Sequence, residues 1–199
     1  EGSLIATIES TPASGVTMNI SDSKAVSAVK VKATGSDVLV DRLDMEFDTR
    51  PYLYIAEMTI SDGSTSKTVA VTESNSVEVT VGSKYYVRMS GLNILVPKDT
   101  DKTFTVTMKA VSGLPGSETT KDIVLTLIAN SLRGTDGAGL TQNAPTADLA
   151  TRTITVKTGD TASVAVSAHP DNPKDSRAVI VKATTETTDV VLAVLNVKA

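Results

Sequence analysis

Apolar and polar residues alternate along nearly the whole chain, and no segment sustains a 3.6-residue period. Alternation with period two predicts β-strands that turn one face to a core. Residues 3–9 (SLIATIE) read as a short strand, broken by Thr11-Pro12-Ala13-Ser14-Gly15. Residues 16–20 alternate cleanly. Residues 26–40 (VSAVKVKATGSDVLV) read as a hairpin around Gly35-Ser36-Asp37. Val29, Val31 and Ala33 share one face, and Val38 and Val40 continue inward after the turn. Leu43, Met45 and Phe47 carry the pattern on, but one residue out of phase, so Asp41-Arg42 is predicted to be a β-bulge. Asp44, Glu46 and Asp48 fall on the outer face.

Further strands are predicted at 52–60, with Tyr54, Ala56, Met58 and Ile60 on one face, and at 67–71 after an Asp62-Gly63 turn. Residues 76–81 and 84–89 form a pair around Gly82-Ser83. In 103–111, Phe104, Val106, Met108 and Ala110 point inward, while 121–129 is apolar on both faces and should lie centrally. Residues 131–147 hold several Gly and Pro and little apolar content, and mark the best boundary. Beyond them, 153–157, 163–167, 178–183 and 189–198 read as strands, the last nearly continuous in Val and Leu. Short strands at turn-punctuated spacing predict an all-β, antiparallel sandwich.

The chain also echoes itself. Residues 28–34 (AVKVKAT) match 178–184 (AVIVKAT) at all but one position, within longer stretches 26–40 and 178–192. Upstream, 6–9 correspond to 154–157. The expected organisation is therefore a sandwich over 1–145 and a C-terminal β segment over 146–199 that repeats 1–40 in part. A partial copy has open edges, which invite pairing in cis or with another chain. A head-to-tail contact that does not close makes a filament. The apolar residues expected at such a seam are Leu4, Ile5, Ile8, Val190, Val191, Leu192, Val194, Leu195 and Val197.

Composition sharpens this picture. Ser and Thr number 49 and Val 25 of 199 residues, which suits half-buried pleated surfaces. Cysteine is absent, so disulfides and thiolate chemistry are excluded. The net charge of −4 and the lack of a basic patch give no support to nucleic-acid binding. No apolar run is long enough for a membrane span. A start at Glu1-Gly2-Ser3 rather than Met suggests a processed N-terminus.

Candidate chemistry is sparse. His169, the single histidine, sits in a loop-like AHPDNPKD without a nucleophile-elbow motif. Residues 134–139 (GTDGAG) lack the Lys-Ser/Thr of a phosphate loop and the spaced acids of a calcium loop. They read as a connector or a weak calcium site. A Lys–Asn isopeptide bond would need Lys30 or Lys32, Asn196 and Glu46 or Glu57 buried together. Asn19-Ile20-Ser21 fits a glycosylation sequon. Tyr52, Tyr54, Tyr85 and Tyr86 read as cross-strand packing or as a sugar platform. No catalytic, cofactor or metal residues are expected, and the chain is not expected to be an enzyme.

Residues 31–47 (VKATGSDVLVDRLDMEF), the Tyr-rich strand after them and 60–69 (ISDGSTSKTV) resemble the immunoglobulin-like β-sandwich repeats of bacterial and archaeal surface and cell-wall proteins. The chain lacks the cysteines and core Trp of antibody-type domains. The resemblance implies an extracellular or cell-surface structural subunit with itself as partner, joined by strand complementation, or else an adhesin or carbohydrate-binding module.

Overall fold

A computed structural model describes residues 2–159, 165–173, 183–184, 191 and 193–198. The chain forms two compact units, Glu1–Gly159 and Asp160–Ala199. The first is an all-β sandwich, antiparallel apart from one strand pair and one bridge. Its smaller sheet runs β1 (Ser3–Ile8), β3 (Ser23–Thr34), β9 (Asp101–Ala110), β5 (Ile55–Ser61), β6 (Ser66–Ala70). The larger sheet contains β12 (Thr141–Ala144), β11 (Leu132–Asp136), β4 (Val38–Phe47), β10 (Thr120–Thr126), β13 (Arg152–Lys157) and β2 (Val16–Asn19). β8 (Lys84–Val96) pairs with β4, and β7 (Ser76–Thr80) pairs with β8. β13 and β2 are the parallel pair.

The alternation seen in the sequence becomes one core between the sheets. Val29, Val31 and Ala33 of β3 and Phe104, Val106 and Met108 of β9 pack from one side. Leu43, Met45, Phe47, Val87, Met89, Ile123, Leu125, Ile154 and Val156 pack from the other. The bulge is where the phase change puts it: the β4–β8 register shifts between Val40 and Arg42. It keeps Val38 and Val40 and then Leu43, Met45 and Phe47 all buried. β11 shifts register against the same part of β4, at Arg133/Gly134. A side chain at Gly134 would sit 2.7 Å from Val38 Cγ1 and 2.8 Å from the Leu39 carbonyl, so only glycine allows this approach.

Three features differ from the sequence reading. Residues 26–40 are not a hairpin. β3 is flanked by β1 and β9, while β4 pairs with β8, β10 and β11, so the turn at Gly35 (φ 77°) carries the chain from one sheet to the other. Asp37 holds that crossing by accepting the Lys98 N–H at 2.7 Å. In the Tyr-rich stretch, Pro51–Leu53 is a 3₁₀ turn and a register shift between Ile55 and Glu57 buries Ile55 in place of Ala56. Residues 131–147 are not a connector, because β11 and β12 extend the larger sheet there.

The boundary expected at 145/146 falls within the first unit. β13 pairs with β10 on one edge and β2 on the other, and Ile154 and Val156 are fully buried. Residues 154–157 thus complete the first sandwich, whereas their counterparts in β1 form a sheet edge. The second copy of the opening stretch, 178–192, lies almost wholly outside the described residues.

The second unit contributes an antiparallel pair, β14 (Ala165–Ala168) and β15 (Leu195–Lys198). Val166 opposes Val197 and Ala168 opposes Leu195. Directly opposed residues share a face, so these four make one apolar face.

Candidate functional site

Sheet edges and exposed apolar residues define where this chain can engage another molecule. In the second unit, the apolar face is solvent-exposed: Val166 is 59%, Leu195 56% and Val197 67% accessible. Of the residues expected at a seam, Leu195 and Val197 lie on this face and Val191 is also more than half exposed. Val194 is half-buried, donating its N–H to Asn172 Oδ1 at 2.9 Å. Val190 and Leu192 lie outside the described residues. β15 pairs in cis with β14, so at least this part of the terminal stretch is paired within its own chain.

At the other end of the chain, β1 is the outermost strand of the smaller sheet. Leu4 faces inward and belongs to the core, Ile8 is half-buried, and Ile5 is exposed. Beside β1 runs a cleft of about 250 Å³ lined by Leu4–Ala6 and Pro145–Leu149. The start of β1 is pinned by Asp136, whose carboxylate accepts the N–H groups of Gly2 (2.9 Å), Ala138 (3.0 Å) and Leu140 (2.9 Å) and the Gln142 amide (3.1 Å). The bond from Gly2 and those from the turn hold its pKa below the usual carboxylate value. The carboxylate of the 134–139 loop is therefore engaged by the protein itself.

The outer face of the larger sheet carries a second constellation. Val87 and Met89 point into the core, so Tyr86 and Arg88 point out. Tyr86 stands opposite Val77 on one side and Glu46 on the other; Arg88 stands opposite Asp44. Arg88 grips Asp44 bidentately, Nε to Oδ1 at 2.8 Å and Nη2 to Oδ2 at 3.0 Å. Arg42 Nε lies 3.5 Å from the same carboxylate, not aligned for a hydrogen bond. Lys84 pairs with Glu46 at 2.9 Å. Asn75, Val77, Tyr86 and Arg88 line a cleft of about 300 Å³.

The remaining candidates are structural. His169 is half-exposed in a turn, where its Nδ1 accepts the Asp171 N–H at 3.1 Å. The acids and amines considered for an isopeptide bond make other pairs: Lys30 with Glu9 (3.4 Å), Glu46 with Lys84, and Glu57 with Lys109 (3.8 Å). Tyr54 and Tyr85 are buried, Tyr52 and Tyr86 half-buried. Lys121 lies 5.6 Å from the Tyr54 ring, and Tyr85 donates to Glu78 at 2.8 Å. Asp62, which the sequence marks only as a turn residue, is a buried anchor. Burial alone would raise its pKa, but Lys102 and the donors of Thr65 and Ser64 overcome that and hold the pKa far below the usual carboxylate value. Among the described residues no three His, Asp or Glu side chains are grouped to hold a metal, and no helix is long and apolar enough to cross a membrane.

No protein-family model matches the chain, and no curated protein matches it in sequence. Solved structures do align with it. A cohesin module from a Clostridium perfringens family 33 glycoside hydrolase is 18% identical over 79% of this chain and 97% of its own, with a TM-score of 0.33. AvmM, which catalyses macrocyclization in alchivemycin A biosynthesis, is 12% identical over 80% and 90% with a TM-score of 0.38. BcpA, the major pilin subunit of Bacillus cereus, is 12% identical over 83% of this chain and 41% of its own, with a TM-score of 0.28. A cohesin module, an enzyme and a pilin at such scores do not distinguish one function from another.

Proposed function

We propose that this chain is a structural module of a cell surface or extracellular filament, joining copies of itself head-to-tail through the apolar strands of its C-terminal unit. The observation that carries the reading is the β14–β15 face, where Val166, Leu195 and Val197 are all more than half exposed. A two-stranded sheet is marginal by itself in water, and clustered exposed apolar side chains mark contact surfaces. The acceptor in this reading is the β1 edge of the next copy, with exposed Ile5 and the cleft of Leu4–Ala6 and Pro145–Leu149. Donor and acceptor patches differ, so the contact is heterologous and open-ended. The surface location rests on the resemblance of 31–47 and 60–69 to surface-protein sandwich repeats.

The test is negative-stain microscopy of the wild type beside a Leu195→Asp/Val197→Asp variant. The reading expects oligomers or fibres in the first and dispersed monomers in the second. Monomers in both, at concentrations up to roughly millimolar, where weak contacts are populated, would remove it.

A further inference from the structure

The cleft at Tyr86 lies on the larger sheet, whereas β1 edges the smaller one, and the proposed assembly does not call on it. We infer that it is a binding site for a neutral carbohydrate chain, with Tyr86 as the stacking platform and the Arg88–Asp44 pair as the hydroxyl-recognising group.

The position of the ring comes first. Tyr86 is half-buried between Val77, which is 58% exposed, and Glu46, directly opposite on the two neighbouring strands. Its neighbours along β8 alternate into the core, so backbone and packing fix where the ring sits. Tyr86 also lines the cleft, and an aromatic ring that lines a cleft is an apolar surface with a polar rim. That is the complement of a pyranose, which offers C–H groups on its face and hydroxyls around its edge.

The charges decide which ligand fits. On one side of the ring Lys84 is paired with Glu46, and on the other Arg88 is paired with Asp44. Each cation next to the ring already has its carboxylate. A charged ligand would have to displace one of these partners, and for Asp44 that would strand a buried carboxylate. A neutral hydroxyl needs no displacement. The grip on Asp44 uses Nε and Nη2 of Arg88, which leaves the Nη1 donors for a ligand, and a carboxylate accepts more bonds than two. A planar guanidinium locked by a carboxylate gives fixed donors beside fixed acceptors, the geometry a vicinal diol requires. The cleft volume of about 300 Å³ stands at the lower end for small-molecule sites.

A peptide strand adding to β7 fits less well. The β7–β8 register shifts between Glu78 and Thr80, leaving Val79 as an extra residue. Such a bulge twists an edge away from flat pairing. The ligand therefore approaches the face of the sheet and not its edge.

The experiment is a titration of the isotope-labelled full chain with cellotetraose, chitotetraose and mannotetraose, followed by the Tyr ring and Arg side-chain resonances. At least one probe should shift Tyr86 and Arg88 with saturation below roughly 10 mM. Tyr86→Phe should stay within about twofold of wild type, while Tyr86→Ala and Arg88→Met should each weaken binding by about tenfold or more. Tyr52→Phe should be neutral. Three outcomes overturn the inference: no probe shifts Tyr86; Tyr86→Ala binds as well as wild type; or Tyr86 shifts only with protein concentration, which would make the face a self-contact. None of these bears on whether the C-terminal unit assembles, so the two proposals fail independently.

Discussion

The two units of this chain are written in the same alternating Val/Thr pattern and meet opposite fates. In the first, strands from two sheets bury their apolar faces against each other, and Phe47, Phe104, Met45 and Met108 lose nearly all contact with water. In the second, no described residue is buried, and Val166, Leu195 and Val197 stay in solvent. Period-two alternation specifies which face of a strand wants cover. It does not supply the cover. The first unit has a second layer from its own chain; β14 and β15 show none among the described residues.

The largest effect should come from where the chain is cut. Ending it at Gly159 removes only the second unit and should leave a cooperatively folded sandwich by near-UV circular dichroism and thermal melting. Ending it at residue 149 also removes β13, leaving β2 unpaired, β10 paired on its β4 side alone, and the sites of Ile154 and Val156 empty. That shorter chain should fail to fold. Equal stability of the two truncations would mean that β13 does not belong to the first core.

Side-chain deletions should divide along the same line. Phe47→Ala is expected to cost about 3–5 kcal/mol in denaturant unfolding, because it leaves a cavity in the sandwich. Gly134→Ala should cost about 1–3 kcal/mol, since its new methyl group meets Val38 and the Leu39 backbone. Leu195→Ala and Val197→Ala should each change unfolding by less than about 0.5 kcal/mol, as exposed positions do, yet reduce association. A large loss of monomer stability from the last two would show that their face is covered in cis.

Acid should act on the first unit. Asp62 and Asp136 titrate below their unfolded value in the folded state. Their contribution is fully present above the unfolded value of about 3.9 and is lost as pH falls below it toward their folded values. The melting temperature should therefore drop as pH is lowered from about 4. Asp62→Asn should be less stable at neutral pH and show a shallower acid decline. Arg88→Met should cost about 1–3 kcal/mol, more than the exposed Leu195 and Val197 changes, because it leaves the buried Asp44 carboxylate with Arg42 alone beside it.

Much of the first unit can be read from residues. The slip from Val38/Val40 to Leu43/Met45/Phe47 announces the bulge because side-chain direction has only two values in a strand. The hairpin expected at 26–40 misleads for a related reason. Two strands facing the same core show the same apolar pattern whether they pair or lie in opposite sheets, so Val31 and Val38 are silent on which occurs. β11 is hidden because its needs are local: Gly134 for close approach and Asp136 for the anchoring of β1. Neither is apolar, and together they imitate a loop. The Tyr86 cleft is hidden by distance along the chain. The outer-face acids of β4 are visible, but nothing local says that Arg88, 44 positions away, closes on Asp44.

In the proposed assembly the exposed face of the second unit is covered by another copy of the chain. Sedimentation velocity of the full chain and of residues 1–159, across a concentration series, addresses it directly. The full chain is expected to grow in mass with concentration while the truncated chain remains a monomer. A full chain that stays monomeric throughout, or a truncated chain that associates equally well, would contradict it.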